Sequence, residues 1–316
     1  MSPTTIFTPA ATPARWIFDL SLLVGAICGA IFVVVFVLLA YSVFKFRKPA
    51  QDDGLEPPQV YGSKQIELAW TIIPVLIVLV LFLASARVVY ATQRHQFAPN
   101  ALDVNVIGHQ FWWEYRYPGL GVVTANELHV PASDPANPFE TRLHLRSADT
   151  VHSFWVPKLS GKVDLIPNSP NELWLDPAQP GLYLGQCAQY CGVQHAMMLL
   201  RVYVEPREQF LIWVQRQKQR AVASPAVAVG RELFERSACR SCHTIAGTAS
   251  DGRFGPDLTH LMSRDTLAAG VIPNNRENLR QWIRDPGSFK PYCLMPAMGF
   301  SESELDAVTD YLVTLR

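Results

Sequence analysis

The sequence predicts a multidomain membrane protein: a two-helix transmembrane hairpin, then a β-sandwich, then an all-α domain. Three observations predict it. Two long uncharged apolar runs stand near the N-terminus, short alternating stretches separated by turn clusters fill the middle, and helical periodicity takes over toward the C-terminus. A chain of 316 residues has room for roughly two or three domains. Hydrophobic residues make up 49% and charged residues only 17%, a balance tilted toward the membrane. The formal net charge is zero, so no basic field argues for nucleic acid.

The first apolar run, Leu20 to Phe44, exceeds the roughly 20 residues that a spanning helix needs. A cleaved signal peptide is the competing reading, but its apolar core is shorter and ends in small residues, whereas Ile27 stands directly before Cys28. The run is read as a retained helix. The second run, Leu68 to Ala86, is closed by Arg87, and its Pro74 falls near the start, where a spanning helix tolerates it. Lys45, Arg47, Lys48 and Lys64 lie between the runs, against Arg15 alone before them. The positive-inside rule therefore holds that loop in the cytoplasm and sends both termini outside. Glu67, at the start of the second run, reads equally as a solvated carboxylate favoured by the helix dipole.

Beyond the hairpin, Leu102 to Ile107, Arg142 to Leu145, Glu172 to Leu175 and Leu199 to Val204 alternate as strands do. Turn clusters separate them, at Pro131 to Pro135 and Pro167 to Pro170. From Pro206 to Arg220, Phe210, Trp213 and Val214 share a possible helical face, and the Ala- and Val-rich 221–229 reads as a linker. The last helix is signalled by the capping box Ser301-Glu302-Ser303-Glu304, with Leu305, Val308, Tyr311, Leu312 and Leu315 at helical spacing. The expected divisions are 1–98 for the tail and hairpin, 99–205 for the sandwich, 206–224 for a linker and 225–316 for the helical domain.

Two ligand sets of different chemistry stand on this frame. Cys187, Cys191, His195 and Met198 form a Cys-x3-Cys-x3-His-x2-Met pattern, with His152 as an upstream partner. Thiolate, imidazole and thioether together suit copper, and Met is a poor zinc ligand. The pattern holds one Cys more than a mononuclear copper centre needs, and two thiolates bridging two coppers would use it. A structural disulfide is the bland alternative. The second set, Cys239-Arg240-Ser241-Cys242-His243, is the C-x-x-C-H pattern of covalent haem attachment. Cys28 and Cys293 stand alone, so the six cysteines are no disulfide framework. No catalytic acid, base or nucleophile stands out, and a chain carrying both ligand sets reads as an electron conductor.

The segments C-A-Q-Y-C-G-V-Q-H-A-M-M from Cys187, Asp149 to Pro157, and Gly108 to Tyr115 resemble cytochrome c oxidase subunit II, over about residues 15–205. The resemblance implies a cupredoxin-like sandwich holding a dicopper (CuA) centre. His152 and Met198 would serve one copper, and His195 with the backbone carbonyl of Gln189 the other. Cys187 and Cys191 would bridge the two, and Met197 would pack. Two departures stand out. Gln189 replaces a glutamate that in the family also binds magnesium, which leaves that site in doubt, and Phe111 replaces the tryptophan at which an external cytochrome c delivers its electron. The resemblance also places Glu67 at the mouth of a proton path.

Residues 225–316 resemble a class I cytochrome c, with Gly230 and Phe234 before the haem motif and Lys290 to Met298 ahead of the capped helix. The resemblance implies one covalent haem c and Gly230 packed against Tyr311. It also implies that the Pro256 carbonyl orients His243 and that Met295, directly before Pro-Ala, is the sixth ligand. Met298, Met262 and His260 are the alternatives, and Cys293 reads as a packing thiol. The whole then resembles subunit II of a caa-type haem–copper oxidase, in which subunit I reduces oxygen to water with proton pumping. The expected partners are subunit I, subunit III and an external donor such as a cytochrome c. The expected place is a bacterial inner membrane, with both redox domains on the outer side. A nitric oxide reductase subunit is the alternative. A quinol oxidase subunit would lack the copper ligands, nitrous oxide reductase would need a further large domain, and a copper-delivery protein has no use for haem.

Overall fold

The structure, a computed structural model, describes residues 4–47, 59, 61–134, 138–221 and 225–316. Lys48, Pro135 and residues 222–224, on which parts of the loop, turn and linker expectations fall, lie outside the described residues.

Both apolar runs form helices longer than the uncharged stretches themselves: α1 (Thr12–Lys45, 34 residues) and α2 (Lys64–Gln93, 30 residues). Each is long and apolar enough to cross a membrane. Their large side chains are exposed on all sides, among them Phe32, Phe36, Leu79 and Phe82. A helix apolar all round is one that is buried in use, as a membrane span is. Pro74 sits inside α2. The stretch Trp16–Arg94 is a unit of its own, and the rest of the described chain forms another.

That second unit begins with ten strands in two five-stranded sheets. One sheet has the order β3-β2-β1-β5-β8, built from β1 (Leu102–His109), β2 (Trp112–Tyr117), β3 (Val122–Ala125), β5 (Thr141–Ser147) and β8 (Asn171–Leu175). The other has the order β4-β10-β9-β6-β7, built from β4 (Glu127–Pro131), β6 (His152–Trp155), β7 (Val163–Leu165), β9 (Gly181–Cys187) and β10 (Leu199–Glu205). Alternation of buried and half-exposed residues along β1, β5 and β10 matches one face on a core and one outside. Val104, Val106, Trp113, Leu143, Leu145, Phe154 and Val202 fill the space between the sheets, each fully buried.

The segment expected as a linker opens instead with helix α3 (Arg207–Gln217). Phe210 and Val214 are buried in the sandwich core, and the Trp213 ring stacks on His129 at 4.2 Å. The apolar face read from the sequence is what seats it, so 207–217 belongs to the sandwich and not to a loose tether.

The remaining helices are α4 (Ala228–Arg236), the single turn α5 (Cys239–Cys242), α6 (Arg276–Arg284) and α7 (Glu302–Val313). They enclose Phe234, Leu279, Ile283, Val308 and Tyr311. The capping box at Ser301 is formed in both directions. A Cβ on Gly230 would lie 1.9 Å from the Ala307 carbonyl oxygen, so only glycine lets α4 cross α7 this closely. A short hairpin, β11 (Thr266–Leu267) with β12 (Ile272–Pro273), reaches from this domain to the sandwich. It turns through Ala268, Ala269 and Gly270, all at positive φ.

Candidate redox centres

The copper-type residues come from three places that the sandwich brings to one end. Cys187 ends β9, His152 opens β6, and Cys191, His195 and Met198 lie on the loop from β9 to β10. Strands β6 and β9 pair directly, with Phe154 opposite Cys187, and this pairing brings His152 beside the cysteine loop. The Cys187 and Cys191 sulfurs stand 3.8 Å apart. His152 Nδ1 is 3.9 Å from Cys187 Sγ, and His195 Nδ1 is 3.8 Å from Cys191 Sγ. Met198 Sδ is 3.9 Å from Cys191 Sγ, and the Gln189 carbonyl oxygen is 3.2 Å from Cys187 Sγ. All six residues expected as ligands therefore converge on the sulfur pair. Met197 is half-buried in the turn that His195 begins. The Gln189 side chain is exposed and offers no carboxylate for a magnesium ion.

The electrostatics favour a cation at this point. Cys187 is held far below the usual thiol range, first by its hydrogen bond with Cys191 and then by His152 and the Ser153 and Gln189 backbone. The two thiols share one proton, so a positive charge between them is what would release both as thiolates. Asp149, which no motif marks as functional, accepts from His152 Nε2 at 2.8 Å and from the Gln110 amide at 2.7 Å. That contact fixes the ring with Nδ1 toward the sulfur, as carboxylates behind metal-binding histidines do. His152 is fully buried and Met198 likewise, while His195 is half-buried. Soft sulfur and imidazole donors at these separations fit copper.

The second set lines one cavity. Cys239, Cys242 and His243 are on its wall with Met295 and Met298. His243 Nδ1 lies 2.8 Å from the Pro256 carbonyl oxygen, to which it donates, leaving Nε2 for a ligand. Burial pushes the ring below its usual range and keeps it neutral. A Cβ at Gly255 would come within 2.5 Å of the His243 ring, so the glycine makes room for the imidazole. His260 is not available as a competing ligand, because its two ring nitrogens face the carbonyls of Arg316 and Gln217 at 2.8 and 3.0 Å. Met262 packs in the helical core, and its amide donates to the Leu315 carbonyl. Cys293 is a free, half-buried thiol on the cavity wall.

That the two centres share a wall has no signature in the sequence. Phe111 and Gln194, both from the sandwich, line the haem-type cavity. Phe111 is only 8% exposed, and its carbonyl accepts from the ammonium of Lys290 at 3.1 Å. Gln194, 2% exposed and adjacent to His195, donates to the Lys290 and Pro291 carbonyls at 3.2 and 2.7 Å. On the other side of the interface the buried carboxylate of Glu127 accepts from the Asp265 amide, the Thr266 amide and the Thr266 hydroxyl at 3.0, 2.9 and 2.6 Å. Trp112, Ala125 and Ala269 form a small apolar cluster across the junction. Glu67 stands in the first turn of α2.

The family model for the transmembrane domain of cytochrome C oxidase subunit II matches residues 4–88, that for its periplasmic domain residues 124–204, and that for cytochrome c residues 227–316. Cytochrome c oxidase subunit 2 of Alkalihalophilus pseudofirmus is 32% identical, covering 99% of this chain and 91% of its own. Its counterpart in Bacillus subtilis is 31% identical over 98% and 90%. A solved periplasmic domain of cytochrome oxidase subunit II from Bradyrhizobium japonicum is 29% identical, covering 39% of this chain and 96% of its own, with a TM-score of 0.36. A membrane hairpin carrying a copper-type sandwich and a haem-type helical domain defines a membrane-anchored redox subunit. The chain belongs to the cytochrome c oxidase subunit II family, in the caa3-type form with a fused cytochrome c domain. It is thus a subunit of an oxidoreductase complex, with copper in the sandwich and haem in the helical domain.

Proposed function

We propose that the chain takes electrons one at a time from an external redox protein at its cytochrome domain and passes them across the junction to its copper loop and on to subunit I. The observation that carries this reading is the shared wall: Gln194, beside His195, lines the cavity that holds Cys239, Cys242 and His243. Haem c and a dicopper centre, when bound, supply one-electron carriage, which these side chains alone do not.

Each residue then has a defined task. Cys239 and Cys242 would fasten the haem covalently, and His243 and Met295, on the same cavity wall, would be the residues that hold its iron. A thioether ligand raises a haem's potential, in keeping with a donor to copper. Cys187, Cys191, His152, His195, Met198 and the Gln189 carbonyl would together hold a dicopper centre. Asp149 holds the His152 ring in place through its 2.8 Å contact. The buried sandwich wall keeps water from the sulfurs. Subunits I and III are the proposed partners in the membrane. Subunit I would carry the oxygen chemistry and proton pumping, with both redox domains on the outer face of a bacterial inner membrane.

Metal analysis of the full purified chain tests the reading. The donor sets predict about two coppers and one iron per chain, with the haem staying on the polypeptide after denaturation. One zinc without copper, or a haem that extracts freely, would contradict it.

A further inference from the structure

Among the contacts that join the copper loop to the haem cavity is a side chain that neither proposed ligand set uses. Gln194 is buried, lines the cavity, and stands next in sequence to His195. Its amide nitrogen reaches the carbonyls of Lys290 and Pro291. These begin the loop that continues to Cys293, Leu294 and Met295 along the same cavity wall. The neighbourhood holds this side chain still. Lys290, 3% exposed, sets its ammonium on the Phe111 carbonyl, and a Cβ on Gly192 would come within 2.9 Å of the Phe111 ring. Gln110 donates to the Cys191 carbonyl at 2.6 Å, so Gln110 and Phe111 brace the same loop from behind.

We propose that Gln194 is the bridge through which the haem-side loop is electronically coupled to His195, and that its hydrogen bond to the Pro291 carbonyl is the one non-covalent link in that route. The inference rests on the proposed haem-to-copper direction of transfer. One electron moves in the step and no bond is made or broken: the haem iron goes from ferrous to ferric and the copper pair is reduced by that electron. Electronic coupling falls off faster across an empty gap than along covalent and hydrogen bonds. The Pro291 carbonyl, the Gln194 amide and the backbone to His195 form a continuous path from the loop that carries Met295; the Leu199 amide beside Met198 also donates across the junction, to the Ala269 carbonyl at 3.2 Å, but from the β11–β12 hairpin rather than from that loop. The contacts of Glu127 with Asp265 and Thr266 hold the domains together but lead to neither metal-binding loop. Gln194 is therefore a positioning and coupling residue, and Glu127 a docking residue.

The test compares the full chain with Gln194→Leu and, as a second variant, Gln194→Ala. Hydrogen exchange at the Asp265 and Thr266 amides, readable in the metal-free protein, reports whether the domains remain docked. The copper electron-spin spectrum and the haem potential report whether the centres are intact. Flash reduction of the haem then gives the internal transfer rate. The expected result is unchanged amide protection, spectrum and potential, with the internal rate lowered about tenfold, the factor that 1.4 kcal/mol represents. A wild-type rate in docked Gln194→Leu and Gln194→Ala would overturn the bridge while leaving the functional reading intact. A rate that falls only together with amide protection would also overturn it, by making Gln194 another docking residue. Absence of haem-to-copper transfer in the unsubstituted chain would instead overturn the functional reading itself.

Discussion

Lys290 puts an ammonium in a nearly dry junction, and burial pushes its pKa down to about 8. Its folded value lies below its unfolded one, so between about pH 8 and 10.5 the unfolded chain binds more protons and stability must rise with pH. Lys290→Met should flatten that rise, which at full titration is on the order of 3 kcal/mol. Chemical unfolding of the two proteins at a series of alkaline pH values checks it, and parallel curves would contradict it. Glu127→Ala strands the Asp265 and Thr266 amides inside the junction, at a cost of about 1–3 kcal/mol for each buried donor left unpaired. Hydrogen exchange at those two amides should speed up while the copper spectrum stays as it was. The residues that converge at the two candidate centres were legible in the sequence because Cys187, Cys191, His195 and Met198 lie within one loop and Cys239 to His243 within one turn. Gln194, Lys290 and Glu127 were not. Their partners stand 96, 179 and 139 residues away, and an isolated Gln, Lys or Glu has no local pattern to betray it.

At the scale of the element, the legible parts are those with a strong local signature. The uncharged runs became α1 and α2, the alternating stretches became β1, β5, β8 and β10, and the Ser301 box became the start of α7. Ser301→Ala should cost the cytochrome domain about 1 kcal/mol by leaving a helix donor unpaired. Gly230→Ala should cost more, about 1–3 kcal/mol of overpacking strain, because the new methyl meets the backbone of Ala307 and not a yielding side chain. Thermal unfolding followed at the haem absorbance ranks the two variants, and an unperturbed Gly230→Ala would mean that α4 and α7 do not cross as described. The β11–β12 hairpin escaped the sequence reading for a physical reason. Two of its four turn residues are Ala268 and Ala269 at φ 54° and 57°, and alanine does not announce a left-handed turn. Helix α3 is half visible, since the spacing of Phe210, Trp213 and Val214 shows an apolar face while the polar residues around it resemble a linker.

For the whole molecule, the central question is whether donor and acceptor meet by tether or by docking. Residues 99–205 carry 6 Lys/Arg against 10 Asp/Glu, and 225–316 carry 10 against 11, so net charge offers no attraction between the domains. On charge alone the sequence suggests two modules at high mutual concentration on a flexible tether. The structure holds them together by other means: the Glu127 clamp, the Lys290 and Gln194 contacts, the Trp112 cluster, and Gln217 of α3 bonded to Ser263. Docking also covers Phe111, where the resemblance places the delivery point of an external cytochrome c. A free cytochrome c should therefore be a poor direct donor to copper in the intact chain. Mixing it with a chain whose haem is blocked from reduction tests this, and rapid copper reduction would refute it. Contacts this buried are screened little by salt, whereas collision with a charged external donor is screened strongly. The most direct measurement is flash reduction of the haem in the intact chain across a salt series, following haem and copper together. Copper should be reduced as haem is reoxidised, at a rate that stays flat with ionic strength; a steep fall with salt, or haem reoxidation without copper reduction, would rule out transfer through a docked junction.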